Sequence, residues 1–124
     1  MSDFKKLKVW RKAHALALNI HHVAARIRGR DYTSLRSQLI RAAASIPANI
    51  VEGRGKKSDP DFARFLGYSV DSSAELEYHL LVARDMCVIK QATFLSLLSQ
   101  TVEVRKMLHG LIKSLEGKRD DPAD

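Results

Sequence analysis

The stretch Ser45-Ile46-Pro47-Ala48-Asn49-Ile50-Val51-Glu52-Gly53 constrains this chain most, because it sets a proline, an amide and a carboxylate inside an apolar helical pattern. Proline has no backbone N–H and crowds the carbonyl four residues earlier. Pro47 therefore frees the carbonyl of Ala43 and is expected to bend the helix at a local cost of about 3 kcal/mol. Neighbouring groups must offset that cost. Ser45, Asn49 and Glu52 are spaced four and three apart, which puts them on one stripe beside Leu35, Leu39, Ala42, Ile46 and Ile50. The stripe reads as polar support for a kinked core helix or for a subunit interface, with Gly53 as a left-handed C-terminal cap. A ligand pocket at Asn49 and Glu52 is the competing reading; no nucleophile or metal-ligand pattern stands beside them.

A second helical pattern precedes this stretch. Ala13, Ala17, Ile20, Ala24 and Ile27 recur at spacings of three and four, predicting a helix from Trp10 to about Arg28 that Gly29 ends. Thr33 or Ser34 is the expected cap of the helix that carries Pro47. After the basic loop Arg54-Gly55-Lys56-Lys57, the run Ser58-Asp59-Pro60-Asp61 joins a capping serine, an early proline and an acid three residues on, a strong helix start.

The third helix is expected to reach about Val88, with Phe62, Phe65, Leu76, Leu80, Ala83 and Cys87 facing inward. Ser69, Ser72 and Ser73 would allow a close helix approach, and Tyr68, Ser72, Glu75 and His79 form a second polar stripe. As antiparallel neighbours, helices two and three would set Asn49 and Glu52 away from Ser72 and Glu75, so only a contact across subunits would join all four. From about Gln91 to Leu115, Phe94, Leu97, Leu98, Thr101, Val104, Leu108, Leu111, Ile112 and Leu115 keep heptad spacing. The expected fold is an all-α, up-and-down four-helix bundle over residues 1–117, with residues 118–124 as a disordered tail.

Composition removes several function classes. In 124 residues, no apolar run approaches the roughly 18 needed to span a bilayer, and no secretory signal opens the chain. Cys87 is the single cysteine, in keeping with a reducing cytoplasm and a buried structural thiol. The net charge of +7 is uneven: through Ser58 there are 13 Lys and Arg against 3 Asp and Glu, and beyond it 8 against 11. A basic first half suits an anionic partner or an acidic face of another copy.

No catalytic or metal constellation emerges. His14 and His21 are about two turns apart, Glu75 and His79 lack the repeated three-residue spacing of di-iron bundles, and Cys87 lies about 12 Å along a helix from His79. Gly53-Arg54-Gly55-Lys56 lacks the P-loop spacing. No cofactor is implied. The basic residues Lys5, Lys6, Lys8, Arg11, Lys12, Arg54, Lys56 and Lys57 remain; in an up-and-down bundle they gather at one end, able to hold phosphates without reading bases. Few exposed aromatics accompany them, which favours a structured duplex or stem over single-stranded bases. Docking of an acidic protein is the alternative use of that surface.

The opening Phe4-Lys5-Lys6-Leu7-Lys8-Val9-Trp10, the segment Leu35 to Ala43, the string Ser45 to Gly53 and Ala74-Glu75-Leu76-Glu77-Tyr78 together resemble the four-helix bundle proteins encoded in 23S rRNA intervening sequences. The resemblance spans nearly all of Phe4 to Leu115 and departs at Asp71, where that family usually carries glycine. It implies an up-and-down bundle that assembles as a homopentameric barrel; the expectation of a non-enzymatic protein rests instead on the missing catalytic constellation. The family is also similar to the accessory protein of diversity-generating retroelements, a basic pentamer that binds a reverse transcriptase and nucleic acid. A ring would gather five modest basic patches into a strong one.

Overall fold

A computed structural model describes residues 3–119 of the chain as four long helices: α1 (Lys8–Ala25), α2 (Thr33–Arg54), α3 (Asp59–Asp85) and α4 (Gln91–Arg119). Short 3₁₀ turns at Phe4–Lys6 and Arg30–Tyr32 lead into α1 and α2. Side-chain pairs fix the directions. Ser45 and Gly53 of α2 meet Ser72 and Phe65 of α3, Glu77 and Arg84 of α3 meet Arg105 and Phe94 of α4, and Lys12 and Asn19 of α1 meet Glu103 and Gln100 of α4. In each series one number rises as the other falls, so these pairs are antiparallel. Each helix packs on its sequence neighbour and α1 closes on α4; among the described residues the diagonal pairs have no Cα atoms within 8 Å. This is the expected up-and-down four-helix bundle.

The core is the union of the predicted apolar stripes. Leu16, Ile20, Leu39, Ile46, Ile50, Leu66, Leu76, Leu80 and Leu108 are fully buried, and Thr101 joins them by donating its hydroxyl to the Leu97 carbonyl at 2.7 Å. Full burial of one such aliphatic side chain contributes about 1.5–3 kcal/mol, so the stripes carry most of the favourable energy.

Several helix ends differ from expectation. α1 stops at Ala25, not near Arg28, because the amides of Arg26 and Ile27 bond back three residues to Val23 and Ala24, tightening the last turn. Gly29, at φ 112°, then turns the chain, and the Arg36 guanidinium holds the carbonyls of Ile27 and Gly29 at 2.7 and 3.0 Å. Neither Thr33 nor Ser34 caps α2. Thr33 is already helical and donates its hydroxyl to the Arg30 carbonyl at 3.0 Å.

The Ser58 start of α3 is as expected, its hydroxyl oxygen accepting from the Asp61 amide at 3.3 Å. The end of α3 is not. The helix stops at Asp85, where the Val88 amide bonds to Ala83 and the Cys87 amide to Arg84, a Schellman closure that puts Cys87 at the left-handed position with φ 62°. Cys87 is therefore exposed, and the expected buried thiol is corrected. α4 continues to Arg119, past the expected end at Leu115; residues 120–124 of the expected tail lie outside the described residues.

Pro47 is buried inside α2 and does not end it. Around it, extra side-chain bonds reach the backbone: Ser45 to the Ala42 carbonyl at 3.0 Å, Asn49 to the Ser45 carbonyl at 2.9 Å, and the buried Ser69 of α3 to the Ile46 carbonyl at 2.8 Å. Gly53 lies within the helix and is not its left-handed cap. It is buried against α3, where an added Cβ would meet the Cβ of Phe65 at 2.7 Å.

Candidate nucleic-acid interface

The antiparallel order places the start of α1 and the turn between α2 and α3 at one end of the bundle, and the Phe4–Lys6 turn packs on both α1 and α2. The two basic clusters named from sequence are thus at the same end. Lys5, Lys6, Lys8, Arg54 and Lys57 are exposed and have no ion pair among the described residues. Their charge is available to an outside anion.

The other three predicted phosphate contacts are engaged within the protein. Arg11 donates from Nη1 to the carbonyls of Lys5 and Lys6, both at 3.0 Å, which straps the N-terminal turn to α1. Lys12 pairs with Glu103 of α4 at 3.1 Å. Lys56 sits 3.9 Å from Glu52, one helical turn back, and lies over the Phe65 ring at 4.9 Å. These exposed pairs are individually weak, on the order of 0.2–1 kcal/mol, but they fix where the ammonium groups stand.

Aromatic rings interleave with the charges at the same end, a feature the sequence reading passed over. Arg54 lies over Phe62 at 5.8 Å, and Arg64 lies over Phe65 at 4.9 Å and Tyr68 at 5.8 Å. Arg64 also donates to the Tyr68 hydroxyl at 3.1 Å and pairs with Asp61 at 3.3 Å; the Tyr68 bond first, then Asp61, raises its already high pKa. The available signal was spacing, since Asp61, Arg64 and Tyr68 stand three and four apart on one helix.

The polar stripes meet only in part. Ser45 and Ser72 are 2.5 Å apart between hydroxyl oxygens, one donating to the other across the α2–α3 seam. Asn49 instead bonds within its own helix, Glu52 faces solvent, and Glu75 stands 3.5 Å from Nε2 of the buried His79. Asn49 and Glu52 thus make no hydrogen bond or ion pair with Ser72 and Glu75 among the described residues. Ser45 and Glu75 line an open groove of about 850 Å³ near the other end of α2, with Arg30, Asp31, Ser34 and Arg41 on its walls. Asp71 is exposed, so the charge there does not enter a helix seam. Among the described residues no group of three or more His, Cys, Asp and Glu is placed to hold a metal, and no helix is long and apolar enough to cross a membrane.

Fold and surface together define a compactly packed, antiparallel four-helix bundle with exposed cations clustered where α1 begins and α2 turns into α3. The chain belongs to the 23S rRNA-intervening sequence protein family, whose profile matches residues 5–110. A similar solved structure is that of a protein of unknown function from the S23 ribosomal protein family of Bacteroides thetaiotaomicron. It is 25% identical, with a TM-score of 0.80, covering 85% of this chain and 98% of that one. No curated protein matches the sequence significantly.

Proposed function

We propose that this protein is a non-enzymatic, oligomeric bundle that binds nucleic acid, and structured RNA in particular, through its basic end. The observation that carries the reading is the set of exposed cations without an ion pair among the described residues, Lys5, Lys6, Lys8, Arg54 and Lys57, gathered by the fold at one end. Flexible lysines of this kind neutralise phosphates and release counterions, giving affinity that depends steeply on salt and weakly on sequence. Self-association into a ring, with a homopentamer as the form the family resemblance suggests, would multiply the patch and raise avidity without new contacts.

A second reading takes the same exposed cations, Lys5, Lys6, Lys8, Arg54 and Lys57, as a docking surface for protein. There an acidic protein, such as a nucleic-acid-processing enzyme of the reverse transcriptase kind, would dock, and the bundle would act as an adaptor in the cytoplasm. Titration with an RNA stem and a matched DNA duplex at low and near-physiological salt separates the two. Tight binding that falls steeply with salt supports the first reading, and an RNA preference supports a structured RNA ligand. Absence of binding even at low salt overturns it in favour of the adaptor.

A further inference from the structure

The turn between α2 and α3 carries more than charge. Phe62 is buried, and the Phe65 ring has Lys56 and Arg64 over it, each at 4.9 Å. Tyr68 is different: 42% of it is exposed, and its ring meets Phe65 edge-on at 5.2 Å and 74°. Its hydroxyl is held by Arg64, which Asp61 holds in turn. A single exposed tyrosine is ordinary. One whose ring plane and neighbouring guanidinium are both fixed, at the end of the bundle that also carries the exposed Arg54 and Lys57, is a different chemical surface. Tyr78 makes the contrast, being 62% exposed with its ring against His79 and no Lys or Arg over it among the described residues.

Sites for unpaired nucleotides combine these two elements, cations that follow the backbone and an aromatic face on which a base stacks regardless of its identity. We propose that Tyr68 is a stacking platform for one unpaired base, with the exposed Arg54 and Lys57 of the same end holding phosphates of the adjoining stem. The ligand of the basic end is then a stem that carries an unpaired overhang, in preference to a blunt duplex. This inference rests on the nucleic-acid reading above, and it narrows that reading from any stem to one with a free base.

The test compares the protein's affinity for a blunt RNA stem with that for the same stem bearing a two-nucleotide overhang whose first base is 2-aminopurine. The expected result is at least about tenfold tighter binding of the overhang, with a change in 2-aminopurine fluorescence on binding. Tyr68→Ala should remove the preference while leaving blunt-stem affinity in place, which also shows that the variant is folded. Tyr68→Phe, which keeps the ring and loses only the hydroxyl, should retain it. Equal affinity for both stems, or a preference that survives in Tyr68→Ala, overturns the platform and leaves the basic-end reading intact. Failure to bind either stem overturns both.

Discussion

The α-carbon of Gly53 faces Phe65 so closely that a methyl group there would stand 2.7 Å from the Phe65 Cβ and 3.2 Å from the Phe62 carbonyl oxygen. Neither contact can be relieved by turning the end of a flexible side chain. This approach sets the spacing between the last turn of α2 and the first turns of α3. It thereby also sets where Arg54 and Lys56 stand over the rings of Phe62 and Phe65.

Gly53→Ala should therefore destabilise the protein, although alanine gains up to about 1 kcal/mol of intrinsic helix preference. Overpacking of this kind costs about 1–3 kcal/mol, and here the displaced atoms belong to backbone or to Cβ. We expect a lower Tm in thermal unfolding. An unchanged or higher Tm would mean that the two helices separate easily.

Ser45 and Ser72 link α2 to α3 through a half-buried hydroxyl pair next to Pro47. Removing one hydroxyl strands its partner, whereas removing both does not. A double-mutant cycle of Ser45→Ala and Ser72→Ala should show coupling of about 0.5–1.5 kcal/mol in denaturant unfolding. Additive single effects would place the seam's stability in apolar packing alone.

Cys87 occupies the left-handed position that closes α3, a conformation costing a residue with a Cβ roughly 1–2 kcal/mol. Glycine avoids that penalty but adds entropy to the unfolded chain. Cys87→Gly should consequently stabilise the protein by about 1 kcal/mol or less. The same exposure predicts that the native thiol reacts with a thiol-specific reagent without denaturant. A thiol that reacts only after unfolding would contradict the exposed turn.

Local patterns were legible in the sequence where the physics is local. The Ser58 cap needs only Asp61, and the heptad spacing of α4 needs only one apolar side to bury, so both are written within a few residues. Cys87 misled because its phase fits the inner face of α3, while the bonds that end the helix depend on where Val88 turns. Gly53 was read as a cap because its function depends on Phe62 and Phe65, which the sequence does not place opposite it. The partners of Arg11 and Lys12 were hidden for the same reason: one is a carbonyl pair created by the N-terminal turn, the other Glu103 on the last helix. At the candidate site the fold thus sorts one list of basic residues into free cations and internally engaged ones.

That sorting makes a matched comparison of charge reversals decisive. Lys5, Lys6 and Lys57 are exposed at the basic end without ion pairs, whereas Arg26, Arg28 and Lys90 are equally exposed at the opposite end, where α1 stops and α3 turns into α4. Reversing either trio to glutamate changes net charge by the same amount, so a general loss of attraction affects both variants alike. If phosphates sit on the basic end, the first trio should lose binding to an RNA stem and flatten the dependence of log K on log salt by about one unit for each lysine that contacts a phosphate. The second trio should lose only the long-range part, which screening over about 8 Å at physiological salt makes small. Helical content by circular dichroism should stay unchanged in both, because none of the six side chains enters the core. Equal losses from the two trios would show that net charge, and not this end of the bundle, holds the ligand.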